Sequence, residues 1–244
     1  MSEELWVRVG GGFVLVPEGR RHGPADVSFP PPGGPWEPLS VDSRLVGWGP
    51  PGVGSEAAVE AEEEAVRLVR DQRAHLLGRL GHKLRSSVLA LQETARQAAY
   101  GRAELLEQLY DQAQDVARRA SAIEVVALEP RDPARAVVLG AVLNLAAPGA
   151  ARDLPADAVV HGSEPVLVEA LSRAYEWMGG QGATIQGYRV GSWWRLELLA
   201  SPERKPLAVP ELGEPLVRLL VDTHLDGWLD SAHEDRVVAY LPAP

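Results

Sequence analysis

The rhythm of apolar and polar positions changes twice along this chain, and each change marks a different kind of element. Residues 5–16, LWVRVGGGFVLV, are two short alternating or apolar runs on either side of three glycines, the pattern of a β-hairpin. From about residue 24 to 54, Pro and Gly crowd the sequence in FPPPGGPWEP and GWGPPGVG, which forbids long helices and suits turns, extended pieces or a linker. Residues 1–54 therefore read as a small β-rich N-terminal segment.

Between Ser55 and Ala99 there is no proline, and Ala, Glu, Leu, Arg and Gln dominate. Propensity and pattern agree on one very long helix, on the order of 65 Å. Tyr100-Gly101 breaks it, and Arg102–Leu128 forms a second proline-free helix with Leu105, Leu109, Val116, Ala120 and Ile123 along one side. Residues 55–128 are thus expected to fold as a long antiparallel helical hairpin. At 100° per residue Val69, Leu76, Leu80, Leu84, Val88 and Leu91 share a stripe about 120° wide. A hairpin cannot cover that stripe alone, so two copies pairing into a four-helix bundle, a homodimer, is the expected solution. His82 lies opposite the stripe, as does His75. The two imidazoles cannot share a metal, because seven residues rise roughly 10 Å along a helix.

From Pro130 the texture turns to short elements. ARAVVLGAVLNLAA, EPVLVEALSRAYEWM and EPLVRLLVDTHL read as helices, ATIQGYRV and SWWRLELLA as a hairpin, and RVVAYLP as a closing strand. Residues 129–244 are expected to form an α/β sandwich, one sheet under helices, which makes the whole chain α+β. Trp193 and Trp194 should straddle the two faces of a strand, one in the core and one on the surface.

Composition narrows the function. With 45% hydrophobic and 24% charged residues, the 244-residue chain has the balance of a folded protein. A formal charge of −10 argues against nucleic acid or an anionic membrane surface as a partner. The absence of cysteine excludes thiolate catalysis and disulfide frameworks. No run approaches the roughly 18 apolar residues that cross a bilayer, and no basic-then-apolar leader is seen, so the expectation is a cytoplasmic protein without a membrane anchor. His161, His224 and His233 lack metal-ligand spacing, and no metal site is expected.

The stretch GHKLRSSVLALQ gives the hairpin a chemical reading, for it resembles the H-box of two-component histidine kinases. In that family a helix carries His, an acid, an apolar residue, a base, Ser or Thr, then usually Pro. His82, Leu84, Arg85 and Ser86 match, Lys83 stands where the acid belongs, and Ser87 stands where the proline belongs. The order of elements is similar too, a second helix and then an ATPase-like α/β domain, so that the resemblance covers about 170 residues from residue 70 onward. It implies a phosphoacceptor at His82, flanked by Lys83, Arg85 and Ser86. Leu89, one heptad on, would help a receiver helix dock, or is a lone surface leucine.

The resemblance also exposes losses. The family holds ATP and Mg²⁺ through an asparagine-bearing helix and Gly-rich loops, whereas helix 165–177 has no asparagine and the only one in the chain is Asn144. After WRLELLA comes SPERKPLAVPE, with no glycine before Gly213. Lys83 is a cation and cannot serve as the base attributed to the family's acid. The expected cofactor is therefore none: ATP binding is lost from a degenerate ATPase domain, and Mg²⁺ enters only through a receiver partner. The expected function is a histidine phosphotransferase that relays phosphoryl groups between response-regulator receivers through His82, since neutral imidazole is a competent nucleophile. A non-catalytic pseudokinase scaffold binding a regulatory partner, and a divergent active kinase, are the alternatives.

Overall fold

The computed structural model describes residues 5–24, 34–100, 102–127, 135–207 and 210–244. Expectations that fall on 25–33, Gly101, 128–134 and 208–209, including the boundary near residue 129, lie outside the described residues. Contacts divide the chain into two compact units, one of residues 1–72 together with 132–244 and one of residues 73–131.

The first unit opens with five strands, β1 (Leu5–Val9), β2 (Gly12–Val16), β3 (Arg21–His22), β4 (Glu37–Val41) and β5 (Arg44–Gly49). They form an antiparallel sheet in the order β3-β2-β1-β5-β4. The expected hairpin is β1–β2; within the Pro/Gly-rich stretch β5 pairs with β1 and β4 with β5, and Pro38 lies on the edge strand β4, where proline is tolerated. Period-two alternation gives the sheet two apolar faces. Leu5, Val7, Val14 and Val16 meet Ala58, Ala61 and Ala65 of the long helix α1 (Ser55–Ala99), whose methyl side chains permit close approach. Trp6, Phe13, Leu15 and Trp48 cluster on the other face.

The same unit contains the sandwich: β6 (Arg135–Val138), α3 (Leu139–Ala146), β7 (Ala151–Asp153), β8 (Val159–Gly162), α4 (Glu164–Trp177), β9 (Thr184–Val190), β10 (Trp193–Leu199), α5 (Glu214–Leu219), β11 (Trp228–Asp230) and β12 (Arg236–Pro242). Its main sheet runs β11-β12-β10-β9-β7, with β6 and β8 paired separately. Trp194, Leu196 and Leu198 sit opposite Leu241, Ala239 and Val237, all buried. With buried Leu143, Leu167, Leu171 and Leu216 from the helices they fill the layer between helices and sheet. Two readings are corrected. ARAVV is not helical throughout, because Arg135–Val138 pairs as a strand with β8 and its β-branched valines suit that ladder. Trp193 is buried, not on the surface, because the second face of β10 is also covered, with Arg195 and Glu197 themselves largely buried there.

The second unit is the hairpin of α1 beyond Gln72 and α2 (Leu106–Ala127), entered through a 3-10 turn at Ala103–Leu105. Leu76, Leu80, Ala122 and Val126 are its buried centre. Arg73 donates to the carbonyl oxygens of Val126 at 2.7 Å and Ala127 at 3.3 Å, a cation on the open C-terminal carbonyls of α2. No helix among the described residues is long and apolar enough to cross a membrane.

Candidate functional site

α1 runs as regular helix through Ser87, the position at which the H-box resemblance calls for proline, so nothing kinks the turns around His82. The apolar stripe turns Leu80 inward, fully buried, and leaves Leu84, Val88 and Leu91 half-buried. Geometry then forces His82 outward: it is exposed, as are Lys83, Arg85, Ser86 and His75. Leu89 presents 60% of its surface to solvent, one heptad beyond His82 on the same side of the helix. His82, Lys83, Arg85, Ser86 and Leu89 thus lie on one open face or beside it, while Leu84 and Ser87 are half-buried. Gly78 and Gly81 add to that openness, for a methyl built on either would touch nothing within 4 Å.

Hydrogen bonds hold the histidine's turn from behind. The Ser86 hydroxyl donates to the His82 carbonyl oxygen at 3.1 Å, which turns that hydroxyl toward the backbone. From α2, Arg119 donates to the Lys83 carbonyl oxygen at 3.1 Å and pairs with Asp115 at 2.7 Å, while Ser87 Oγ donates to Asp115 at 3.5 Å. Sequence reasoning did not single out Asp115 and Arg119. Their i,i+4 spacing was the available signal, but it says only that they pair with one another, not that they face the histidine's turn.

In the sandwich, charged residues around α4, the helix on which the family resemblance would place an asparagine, serve one another. Arg173 on α4 is only 4% exposed and pairs with Glu169 at 2.8 Å and Glu176 at 3.0 Å. The segment after β10 packs on the end of α4: Ser201 N–H donates to the Met178 carbonyl at 2.8 Å, and the Arg204 guanidinium lies 5.7 Å from the Trp177 ring centroid. Arg204 also donates to the Glu234 carbonyl at 2.6 Å. Asn144 accepts a hydrogen bond from Arg152 at 2.6 Å, and the same guanidinium caps the carbonyls of Leu143 and Ala147. Among the described residues no group of three or more His, Asp or Glu could hold a metal ion.

No family model matches the chain, and no curated protein matches it. Solved structures do. The histidine kinase AdeS of Acinetobacter baumannii aligns over 66% of this chain and 97% of its own, with TM-score 0.50 and 16% identity. The histidine kinase ThkA, in a crystal structure with the response regulator protein TrrA, aligns over 99% of this chain and 79% of its own, with TM-score 0.51 and 13% identity. At such identities the likeness concerns fold: the chain has a histidine-kinase-like core, a long helix pair joined to an α/β sandwich.

Proposed function

We propose that the protein works in two-component signalling as a histidine phosphotransferase, with His82 as the phosphoacceptor and without the use of ATP. The observation that carries this reading is the open face of α1, on which exposed His82 stands beside exposed Lys83 and Arg85 on a turn held rigidly from α2. A ring nitrogen of His82 attacks the phosphorus of a receiver's aspartyl phosphate; the N–P bond forms as the acyl P–O bond breaks, the receiver's carboxylate leaves, and the imidazole releases its proton to water. Lys83 and Arg85 lie within a turn and offset the roughly two negative charges of the phosphoryl group. Mg²⁺ belongs to the receiver in this scheme. Leu89 offers the partner an apolar foothold.

Two further parts of the proposal rest on packing. Half-buried Leu84, Val88 and Leu91 on α1, with Leu106 and Tyr110 exposed on α2, are the surface we assign to a second copy of the chain, giving the four-helix bundle. Loss of nucleotide binding is supported by Arg173, whose buried guanidinium and two carboxylate partners occupy α4, and by Ser201 and Arg204 packed on that helix's end. The test is to incubate the protein with phosphorylated receiver domains and follow the label. The proposal expects acid-labile label to appear on the protein. If no receiver labels it, the pseudokinase-scaffold reading replaces this one.

A further inference from the structure

The N-terminal sheet meets the turn after α5 at glycines that leave no room for a side chain. The chain leaves α5 through a π-turn, Leu220–His224, and reaches β11 by way of Asp226, held at a positive φ of 48°, and Gly227. The β1–β2 turn fits against this stretch so closely that a methyl on Gly10 would overlap the Asp222 carbonyl oxygen, and one on Gly11 the carbonyl oxygens of Asp226 and Gly227. Gly12 and Gly23 press in the same way on the Trp228 indole.

Arg21 of β3 completes the junction. Its guanidinium lies 5.5 Å from the Trp228 ring centroid, and its Nη2 lies 2.8 Å from Oδ2 of Asp222. Asp222 is 0% exposed; its Oδ1 accepts the Leu229 N–H at 2.7 Å, and Arg218 of α5 stands 3.8 Å from Oδ2. The Arg21–Asp222 contact is not aligned as a hydrogen bond, so Arg21 Nε and Nη2 and Asp222 Oδ2 are buried without a hydrogen-bond partner among the described residues. Burial pushes the Asp222 carboxyl up to about 6, against the pull of Arg21, Arg218 and the Leu229 N–H, and burial likewise lowers Arg21. A charge pair of this kind holds while both partners are present and is costly once one is removed. It specifies closure without making closure deep.

We propose that the N-terminal sheet is an intramolecular latch: seated by Gly10–Gly12 and Arg21 on the turn after α5, it ties the sandwich to the base of α1, and it can open as a unit. The sheet is suited to this because its other contacts run to α1, through Ala58, Ala61 and Ala65, so one small layer grips both the helix that carries His82 farther along and the sandwich. A stimulus that displaces the sheet would thereby free the sandwich from the helix. This inference does not depend on the phosphotransfer reading.

Because the chain has no cysteine, a labelled pair can be placed at will. Spin labels on Ser40→Cys in β4 and Ala232→Cys beyond β11, both exposed, would report the distance between sheet and sandwich in the full chain. With the natural latch the distance distribution should be narrow at pH 8. Arg21→Met, which strands Asp222, should broaden it at least twofold, and Arg21→Met with Asp222→Asn, which removes both charges but keeps an acceptor for Leu229, should narrow it again. Gly11→Val is an independent steric wedge that should broaden it with no change of charge, and near-ultraviolet circular dichroism from Trp6 and Trp48 would verify that the sheet is still folded. A broad distribution in the parent protein, or widths unchanged by Arg21→Met and by a folded Gly11→Val, would overturn the latch.

Discussion

The helical hairpin and the sandwich use their charged residues in opposite ways. Around His82 the charges point outward: Lys83 and Arg85 are exposed, and the pair that does turn inward, Asp115–Arg119, holds the backbone of the histidine's turn. In the sandwich the charges meet partners within the fold: Arg173 with Glu169 and Glu176, Arg218 with Glu214, and Asp222 with Arg21 of the N-terminal sheet. A group whose charge is already matched within the fold has little left with which to hold a ligand. That difference is why the proposal places the phosphoacceptor on the hairpin.

The comparison can be broken most severely at the buried core of the hairpin. Leu80 is 0% exposed, so Leu80→Ala should cost about 2–5 kcal/mol, read as a fall in the denaturation midpoint, and should loosen the turn that bears His82. The same loss with His82 reactivity intact would show that the rigid turn is not needed.

The sandwich's buried carboxylate gives a smaller and opposite-signed signature. The folded-state value for Asp222, about 6, lies above the ordinary 3.8, so the folded chain binds this proton more tightly than the unfolded one. Its contribution to stability is fully present below about pH 4 and is lost as pH rises through about 6. Urea titrations in pH steps should show that decline in the parent protein and a flatter profile in Asp222→Asn. Identical profiles would mean that the carboxyl titrates at its ordinary value.

Much of this was legible in the sequence. The limits of α1 follow from Ser55, from a proline-free run and from Tyr100, and β12 follows from RVVAYLP, because propensity and period agree there. The outward direction of His82 was legible too, since it depends only on helical period. The junction at Asp222 was not. It depends on glycines at residues 10–12 that in the sequence announce only a turn, and on an Arg and an Asp 201 residues apart that no local pattern joins. The strand at Arg135–Val138 was hidden because ARAVVLGAVLNLAA is apolar without a clear period and its partner β8 is distant in sequence.

The smallest expected effect separates openness from rigidity on the His82 face. Gly78→Ala places a methyl where nothing lies within 4 Å, and should raise stability by about 0.5–1 kcal/mol, as alanine does for glycine inside a helix. If the open face at Gly78 and His82 serves receiver docking, phosphoryl acceptance should slow in this more stable variant. Acceptance unchanged would mean that Gly78 is not part of the docking face.

The central claim is that His82 itself receives the phosphoryl group, and label transfer into His82→Gln tests it most directly. The substitution faces solvent on a regular helix, so thermal stability should shift by no more than about 0.5 kcal/mol. The account predicts that a phosphorylated receiver labels the parent protein with acid-labile phosphate and leaves the folded His82→Gln protein unlabelled. Label of equal intensity on His82→Gln would contradict it.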